Sequence, residues 1–171
     1  EFGDVVIDGL APPAPGVHQQ RTAALAAVAV MQLQREGLSV SAEAMRAGIA
    51  QTRLPGHYET AEVGGTRYVL DVAHTPASIE ALIAALNEAG AGRVRVVAGF
   101  LADKEIARMV QLLAARSMEL HLVPVPNPRS ADRHQLQAAI QGLQIPALVH
   151  SQLTDALLPV DSQQRDAEWT V

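Results

Sequence analysis

Cysteine is absent from these 171 residues, and aromatic side chains make up only 3% of them. The absence of cysteine excludes disulfide bridges and thiolate metal sites. Because aromatics are scarce, alanine, valine and leucine must build the hydrophobic core. Basic side chains are also few, 13 Lys and Arg against 18 Asp and Glu, and they form no block. We therefore expect neither nucleic acid nor a membrane surface as a partner.

Long apolar runs are lacking too. No run approaches the ~20 residues that a membrane-spanning helix needs, and no signal peptide pattern is present. We therefore expect a cytoplasmic protein. The length suits one sizeable core, or one domain plus part of another. Residues 5–7 and 169–171 read as the end and the start of strands, so we expect a piece of a longer chain.

The sequence changes character at the turn over residues 53–57, Arg-Leu-Pro-Gly-His. Before the turn, a loop with three prolines precedes two predicted helices, at 17–36 and from the N-cap Ser41 to about 52. Gly37 separates these helices in the usual C-terminal position. After the turn, strands and helices alternate. We predict a boundary here, with a helical segment over 1–52 and a separate domain over 53–171.

The second part predicts an α/β fold with a mixed, mainly parallel Rossmann-like sheet of five or six strands flanked by helices. Gly64-Gly65 marks a two-residue hairpin, which adds an antiparallel strand. The expected strands are 59–63, 66–71, 93–98, 118–123, 147–150 and one starting near 169. The expected helices are 76–89, 104–116, 131–141 and one starting near 151.

Ligands of open parallel sheets bind beyond the carboxyl ends of the strands, which selects three loops here. They are Asp71-Val72-Ala73-His74-Thr75-Pro76, Gly99 through Asp103-Lys104, and Pro124 through Arg129-Ser130. Polar and charged side chains concentrate in these loops, whereas the preceding strands are nearly free of them. We therefore predict the functional site at this edge.

The first loop combines a helix start with two titratable side chains. Thr75 is a good N-cap and Pro76 suits the first helical position, so free N–H groups there can hold an anion. Asp71 can accept ribose hydroxyls or orient His74. The competing interpretation is that Asp71 and His74 only stabilise the turn.

The second and third loops carry cations. Asp103 can cap a helix that Lys104 begins, and a lysine in the first turn opposes the helix dipole, which indicates a phosphate or carboxylate beside it. Arg129 can hold a carboxylate or phosphate through two hydrogen bonds. A solvated lysine and a surface salt bridge are the plain alternatives.

Several features are excluded as sites. His121 is expected to be a satisfied histidine within a strand, and Trp169 a core residue. His134 and His150 have no partner at ligand spacing, so we predict no metal site in this chain. No P-loop, G-x-G-x-x-G loop or nucleophile elbow is present. If the protein handles ATP, another domain must hold the phosphates.

Five motifs in the same order resemble folylpolyglutamate synthases and dihydrofolate synthases of the Mur ligase superfamily. They are Gly16-Val17-His18-Gln19 before an alanine-rich helix, Leu54-Pro55-Gly56-His57, Asp71-Val72-Ala73-His74-Thr75-Pro76, Gly99 through Asp103-Lys104, and Pro128-Arg129. The resemblance implies the end of the central ATPase domain followed by the C-terminal domain. Each motif alone is weak, whereas the ordered set is fairly specific.

The resemblance also implies a reaction. ATP phosphorylates a folate or pteroate carboxylate, and the amino group of glutamate then attacks the acyl phosphate. ATP and Mg²⁺ would be held mainly by the protein's own N-terminal ATPase domain, so this fragment is expected to be inactive alone. We expect the protein to be a monomer. The implied roles are catalytic for His74 and Lys104, cofactor-binding for Thr22, His57, Asp71 and Thr75, and substrate-binding for Asp103 and Arg129.

Three positions depart from the family pattern. Thr22, His57 and Thr75 stand where the family uses asparagine, arginine and asparagine. A histidine near neutral pH is mostly uncharged and cannot provide the permanent charge and the bidentate hydrogen bonds of an arginine. Two alternatives therefore stay open: a degenerate, non-catalytic relative that acts as a binding module, and another Mur-type amino-acid ligase.

Overall fold

A computed structural model describes residues 6–157 and 169–171. The chain forms two compact units, residues 1–57 and 58–171, so the division in sequence falls after the 53–57 turn. The assignment of residues 1–52 and 53–171 to different domains of a longer enzyme stays a prediction.

The first unit is helical, as the sequence predicts. Helix α1 spans Val17–Arg35 and α2 spans Ala42–Gln51. Ser41 caps α2 by accepting a hydrogen bond from the Ala44 N–H at 3.1 Å. The two helices bury Ala27, Met31 and Met45 against each other. The strand expected at 5–7 is not seen at Val6 and Ile7, and residue 5 lies outside the described residues.

The second unit contains one six-stranded sheet. Its strands are β1 (Glu59–Val63), β2 (Thr66–Leu70), β3 (Val94–Ala98), β4 (Ser117–Leu122), β5 (Ala147–Val149) and β6 (Trp169–Thr170). Its helices are α3 (Pro76–Glu88), α4 (Ile106–Arg116), α5 (Arg133–Ile140) and α6 (Leu153–Leu157). No helix among the described residues is both long and apolar enough to cross a membrane.

The strand order is β1-β2-β6-β3-β4-β5. The β1–β2 hairpin is antiparallel, and every other pairing is parallel. The predicted mixed, mainly parallel sheet with flanking helices is thus confirmed. Helices α3, α4 and α5 neighbour one another in turn on one face. Helix α6 follows the edge strand β5, and the carbonyl of its residue Ala156 accepts a hydrogen bond from Arg95 of β3 at 2.8 Å.

The core is aliphatic, as the composition requires. Leu120, Leu122, Met109 and Leu136 are fully buried between the sheet and the helices. Trp169 is buried as predicted, with the Arg67 guanidinium 4.5 Å from the centre of its ring. Because β2, β3 and β4 run parallel, the loops that follow them meet at one edge of the sheet.

The start of α4 corrects one prediction. The helix begins at Ile106 with Glu105 as its N-cap, so Asp103 does not cap it and Lys104 is not in its first turn. Residues 101–104 instead form a turn in which the Lys104 N–H donates to the Leu101 carbonyl at 3.2 Å. An antiparallel bridge between Leu101 and Ser130 holds this turn. A contact between two loops therefore delays the helix by two residues.

Candidate functional site

Asp71 directly follows β2, and both of its carboxylate oxygens accept backbone hydrogen bonds. Oδ2 accepts from the Tyr58 N–H at 2.9 Å, and Oδ1 accepts from the Ala73 N–H at 2.8 Å. The side chain therefore stabilises its own loop. Each oxygen keeps a further lone pair, so a ribose hydroxyl can still bind there.

His74 lies exposed at the tip of the same loop. Its Nδ1 is 3.0 Å from the Val72 carbonyl oxygen. A carbonyl can only accept, so Nδ1 carries a proton in this contact, and in the neutral ring Nε2 then presents the lone pair. The structure thus gives His74 one tautomer and an outward-facing acceptor.

Thr75 caps α3, as predicted from its place before Pro76. Its Oγ1 accepts from the Ser78 N–H at 3.2 Å, and the Ser78 Oγ accepts from the Thr75 N–H at 2.9 Å. This reciprocal capping box satisfies two otherwise free donors at the helix start. The Ser78 Oγ also accepts from the His74 N–H at 3.0 Å, which fixes the backbone that carries the imidazole.

The loops after β3 and β4 bring three charged side chains together. The Asp103 carboxylate lies 3.2 Å from Lys104 Nζ and 3.9 Å from Arg129 Nη1. The hydrogen bond from Lys104 is the main cause that lowers the pKa of Asp103, and the positive charge of Arg129 adds to it. The Ala102 N–H donates to the Arg129 carbonyl at 2.8 Å, which joins the two loops.

Gly99 makes this approach of the loops possible, which the sequence pattern alone did not reveal. A Cβ at this position would lie 2.5 Å from Val125 Cγ1 and 3.0 Å from the Val123 carbonyl oxygen. Both distances are shorter than van der Waals contact. Only a residue without a side chain lets the end of β3 pass this close to the loop after β4.

Thr22 and His57 belong to the first unit. The Thr22 hydroxyl donates to the His18 carbonyl one turn earlier in α1 at 3.0 Å. The His57 Nδ1 lies 3.1 Å from the Pro55 carbonyl oxygen, and its ring is exposed. Both side chains have polar atoms available to a ligand, and their role in cofactor binding stays a prediction.

Sequence reasoning missed a network of polar side chains on the sheet, at whose centre His121 is buried. His121 Nδ1 and His150 Nε2 are 2.8 Å apart, although the two residues are 29 positions apart in sequence. His121 Nε2 lies 3.4 Å from Glu119, whose other oxygen is 2.9 Å from Arg95 Nε. The sequence offers no partner for His150 at ligand spacing, and it gave no sign of this hydrogen bond, which the register of β4 against β5 brings about.

Within residues 6–157 and 169–171, no three His, Asp or Glu side chains are placed to hold a metal ion. A cavity of about 510 Å³ lies between β2 and β3 beyond the short β6, and its lining is mainly apolar, with Asp71 at its rim. The positive charge that could bind a phosphate therefore comes from Lys104 and Arg129, and not from the residues that line the cavity.

Comparison with known proteins identifies the family of this chain. A family model described as "Mur ligase, glutamate ligase domain" matches residues 56–166. Folylpolyglutamate synthase of Lacticaseibacillus casei is 33% identical over 145 residues, which cover 83% of this chain and 33% of that protein. A UDP-N-acetylmuramoyl-L-alanyl-D-glutamate–2,6-diaminopimelate ligase of Corynebacterium efficiens is 31% identical over 129 residues, covering 74% of this chain and 24% of that protein.

A solved structure of a folate ligase is also similar to this chain. The crystal structure of a bifunctional folylpolyglutamate synthase/dihydrofolate synthase of Yersinia pestis, complexed with AMPPNP and Mn ion, superposes with a TM-score of 0.76 at 30% identity. The match covers 100% of this chain and 39% of that one, so the chain spans little more than a third of its relative. The sheet order, the loops at its edge and the family match lead to one conclusion: the chain belongs to the Mur ligase family and contains its glutamate ligase domain.

Proposed function

We propose that this chain is the C-terminal part of an ATP-dependent ligase that adds glutamate to a folate or pteroate carboxylate through an acyl phosphate. The observation that carries the proposal is the charged cluster of Asp103, Lys104 and Arg129 at the edge of the sheet. The relatives named as folate ligases support the choice of substrate. On this view the N-terminal part of a longer protein supplies the phosphate-binding loop.

The cluster suits an amino-acid substrate because it offers both signs of charge within a few ångströms. Arg129 Nη1 and Asp103 Oδ1 are 3.9 Å apart, too far for a strong mutual hydrogen bond, so both can turn to a ligand. The guanidinium matches a glutamate carboxylate, and the Asp103 carboxylate matches its ammonium group. Lys104 then faces the negative charge that develops on the acyl phosphate.

His74 is proposed to act at the second loop. The lone pair of its Nε2 can accept a proton from the glutamate ammonium group, which must become a neutral amine before its nitrogen can attack the acyl phosphate. Asp71 is proposed to accept a ribose hydroxyl of ATP, with Thr75, Thr22 and His57 as further nucleotide contacts. When bound, ATP would supply the phosphoryl group and Mg²⁺ would offset its negative charge. The described residues do not make a complete magnesium site, so no metal-dependent step is assigned to them.

The test is an assay of the complete ligase for phosphate release that requires ATP, a folate and glutamate together. Arg129→Gln is expected to raise the KM for glutamate, and Lys104→Gln to lower kcat. Each effect should be about ten- to a hundredfold, because a hydrogen bond to a charged group contributes roughly 1.5–3 kcal/mol. The matched control is Arg108→Gln, an exposed arginine of α4 that is 3.8 Å from Glu80 and outside the loops.

A second candidate substrate is a cell-wall peptide precursor, because a diaminopimelate ligase is also similar to this chain. The same assay with a muramoyl-peptide acceptor and diaminopimelate in place of folate and glutamate distinguishes the two. Ligation of the peptide precursor alone would replace the folate proposal while keeping the chemistry. Failure of every acceptor would favour a non-catalytic binding module, which the substitutions at Thr22, His57 and Thr75 also motivate.

A further inference from the structure

Tyr58 has an unusual backbone for its residue type. Its φ is 51°, and it is the one residue other than glycine with a positive φ among residues 6–157 and 169–171. An aromatic residue in this left-handed region is strained and persists only when its surroundings hold it. Two contacts do so here: the ring is buried, with 9% of the residue exposed, and the N–H donates to Asp71.

Asp71 links this strained residue to the loop that carries His74. One carboxylate oxygen accepts from the Tyr58 N–H and the other from the Ala73 N–H. Ala73 directly precedes His74, whose own N–H is held by Ser78. The backbone on both sides of the imidazole is therefore anchored, by Asp71 on one side and by the capping box on the other.

We propose that Tyr58 is a positioning residue for His74, and that it acts through the Asp71 carboxylate. The left-handed backbone of Tyr58 directs its N–H at Oδ2, and this contact fixes the rotamer of Asp71. With the rotamer fixed, Oδ1 meets the Ala73 N–H and holds the loop so that His74 Nδ1 reaches the Val72 carbonyl. The tautomer of His74 thus depends on a residue 16 positions earlier in the chain. The inference rests on the proposed function only in that His74 is the group being positioned.

The test compares two substitutions of Tyr58 that remove the ring equally but differ at Cβ. Tyr58→Val introduces a β-branched residue, which resists a positive φ more strongly than the unbranched Cβ of leucine in Tyr58→Leu. In the uniformly labelled 171-residue chain, we expect Tyr58→Val to speed amide exchange at residues 58 and 73 about tenfold or more relative to Tyr58→Leu. Asp71→Ala should do the same at both positions, and Asp71→Asn at one or both, because an amide has only one acceptor oxygen.

The ring nitrogens of His74 provide a second signature. In the wild type, ¹⁵N shifts should report a proton on Nδ1, and in Tyr58→Val and Asp71→Ala the proton should redistribute toward Nε2. The control is Asp132→Ala, the same truncation as Asp71→Ala but at the cap of α5, where Oδ1 accepts from the Gln135 N–H at 2.8 Å. It should speed exchange at Gln135 and leave residues 58, 73 and 74 unchanged.

Two outcomes overturn the inference. Unchanged exchange at residues 58 and 73 in Asp71→Ala would show that the carboxylate does not hold them. Altered exchange without any change in the His74 ring shifts would show that the contact is structural and does not position the imidazole. Neither outcome depends on ligase activity. Conversely, a complete protein that ligates nothing while these signatures hold would reject the proposed function and leave the positioning role in place.

Discussion

The imidazoles of His121 and His150 share one hydrogen bond across the β4–β5 pair, with 2.8 Å between Nδ1 and Nε2. Burial is the main cause that lowers the pKa of His121, and the positive charge of Arg95 lowers it further. His150 also lowers the pKa of His121. Glu119 raises it, but the causes that lower the pKa outweigh Glu119. The carbonyl of Ala156 on α6 binds Arg95 at 2.8 Å, so the helix packs against the same group of charges.

This relationship predicts how stability depends on pH. The folded chain holds His121 neutral, whereas the unfolded chain protonates it near the ordinary histidine pKa of about 6.5. Between the folded and unfolded pKa values the unfolded chain binds more protons, so the free energy of unfolding should fall as pH drops below about 6.5. Urea titrations of wild type and His121→Gln from pH 5 to 8 measure this. The variant should show a shallower slope, and His134→Gln, an exposed histidine of α5, should not.

Gly99→Ala should destabilise the chain by about 1–3 kcal/mol, because the new methyl group would overlap Val125. The matched control is Gly92→Ala, where a Cβ meets no atom within 4 Å and the backbone has no positive φ. Thermal or urea unfolding measures both. Equal stabilities of the two variants would contradict the close approach of the loops.

Gly99→Ala should also affect the complete ligase, because the displaced loop carries Arg129. Under conditions where the variant remains folded, we expect a higher KM for glutamate with less change in the KM for ATP. An unchanged KM for glutamate would show that the position of Arg129 does not depend on this contact.

His57→Arg should improve nucleotide binding in the complete ligase. A permanently charged guanidinium, which can hold phosphate through two hydrogen bonds, replaces an imidazole, so the KM for ATP should fall by up to about tenfold. The measurement is kcat and KM for ATP from pH 6 to 8.5. The control is His134→Arg, which adds the same charge on α5. Identical constants for His57→Arg and wild type at every pH would refute a phosphate-facing role.

The 171-residue chain by itself should neither hydrolyse ATP nor ligate glutamate. Phosphoryl transfer needs a loop that aligns the γ-phosphate, and no such sequence motif is present. The assay is magnesium-dependent phosphate release by the purified chain, with Lys104→Gln as a check for contaminating enzymes. Robust turnover that disappears in Lys104→Gln would sink this prediction.

Much of the second unit was predictable because its signals are local. The Gly64-Gly65 hairpin, the valine-rich β3 and the Thr75-Pro76 helix start each depend on residues a few positions apart. Ligands of parallel sheets bind at the carboxyl ends of the strands, and from this rule the sequence alone predicted that the three loops lie at one edge of the sheet. The same local reasoning failed at α4, where the bridge between Leu101 and Ser130 outweighs the capping preference of Asp103.

The sequence by itself determined the alternating elements, the aliphatic core and the chemistry available in the loops, since propensity, periodicity and capping act over one or two turns of chain. Only the tertiary structure decided which distant groups meet. It placed the short β6 between β2 and β3, paired His121 with His150, and joined Tyr58 to Asp71. These contacts depend on strand register and crossover direction, which are set by burial of the whole sheet and have no local sequence signal.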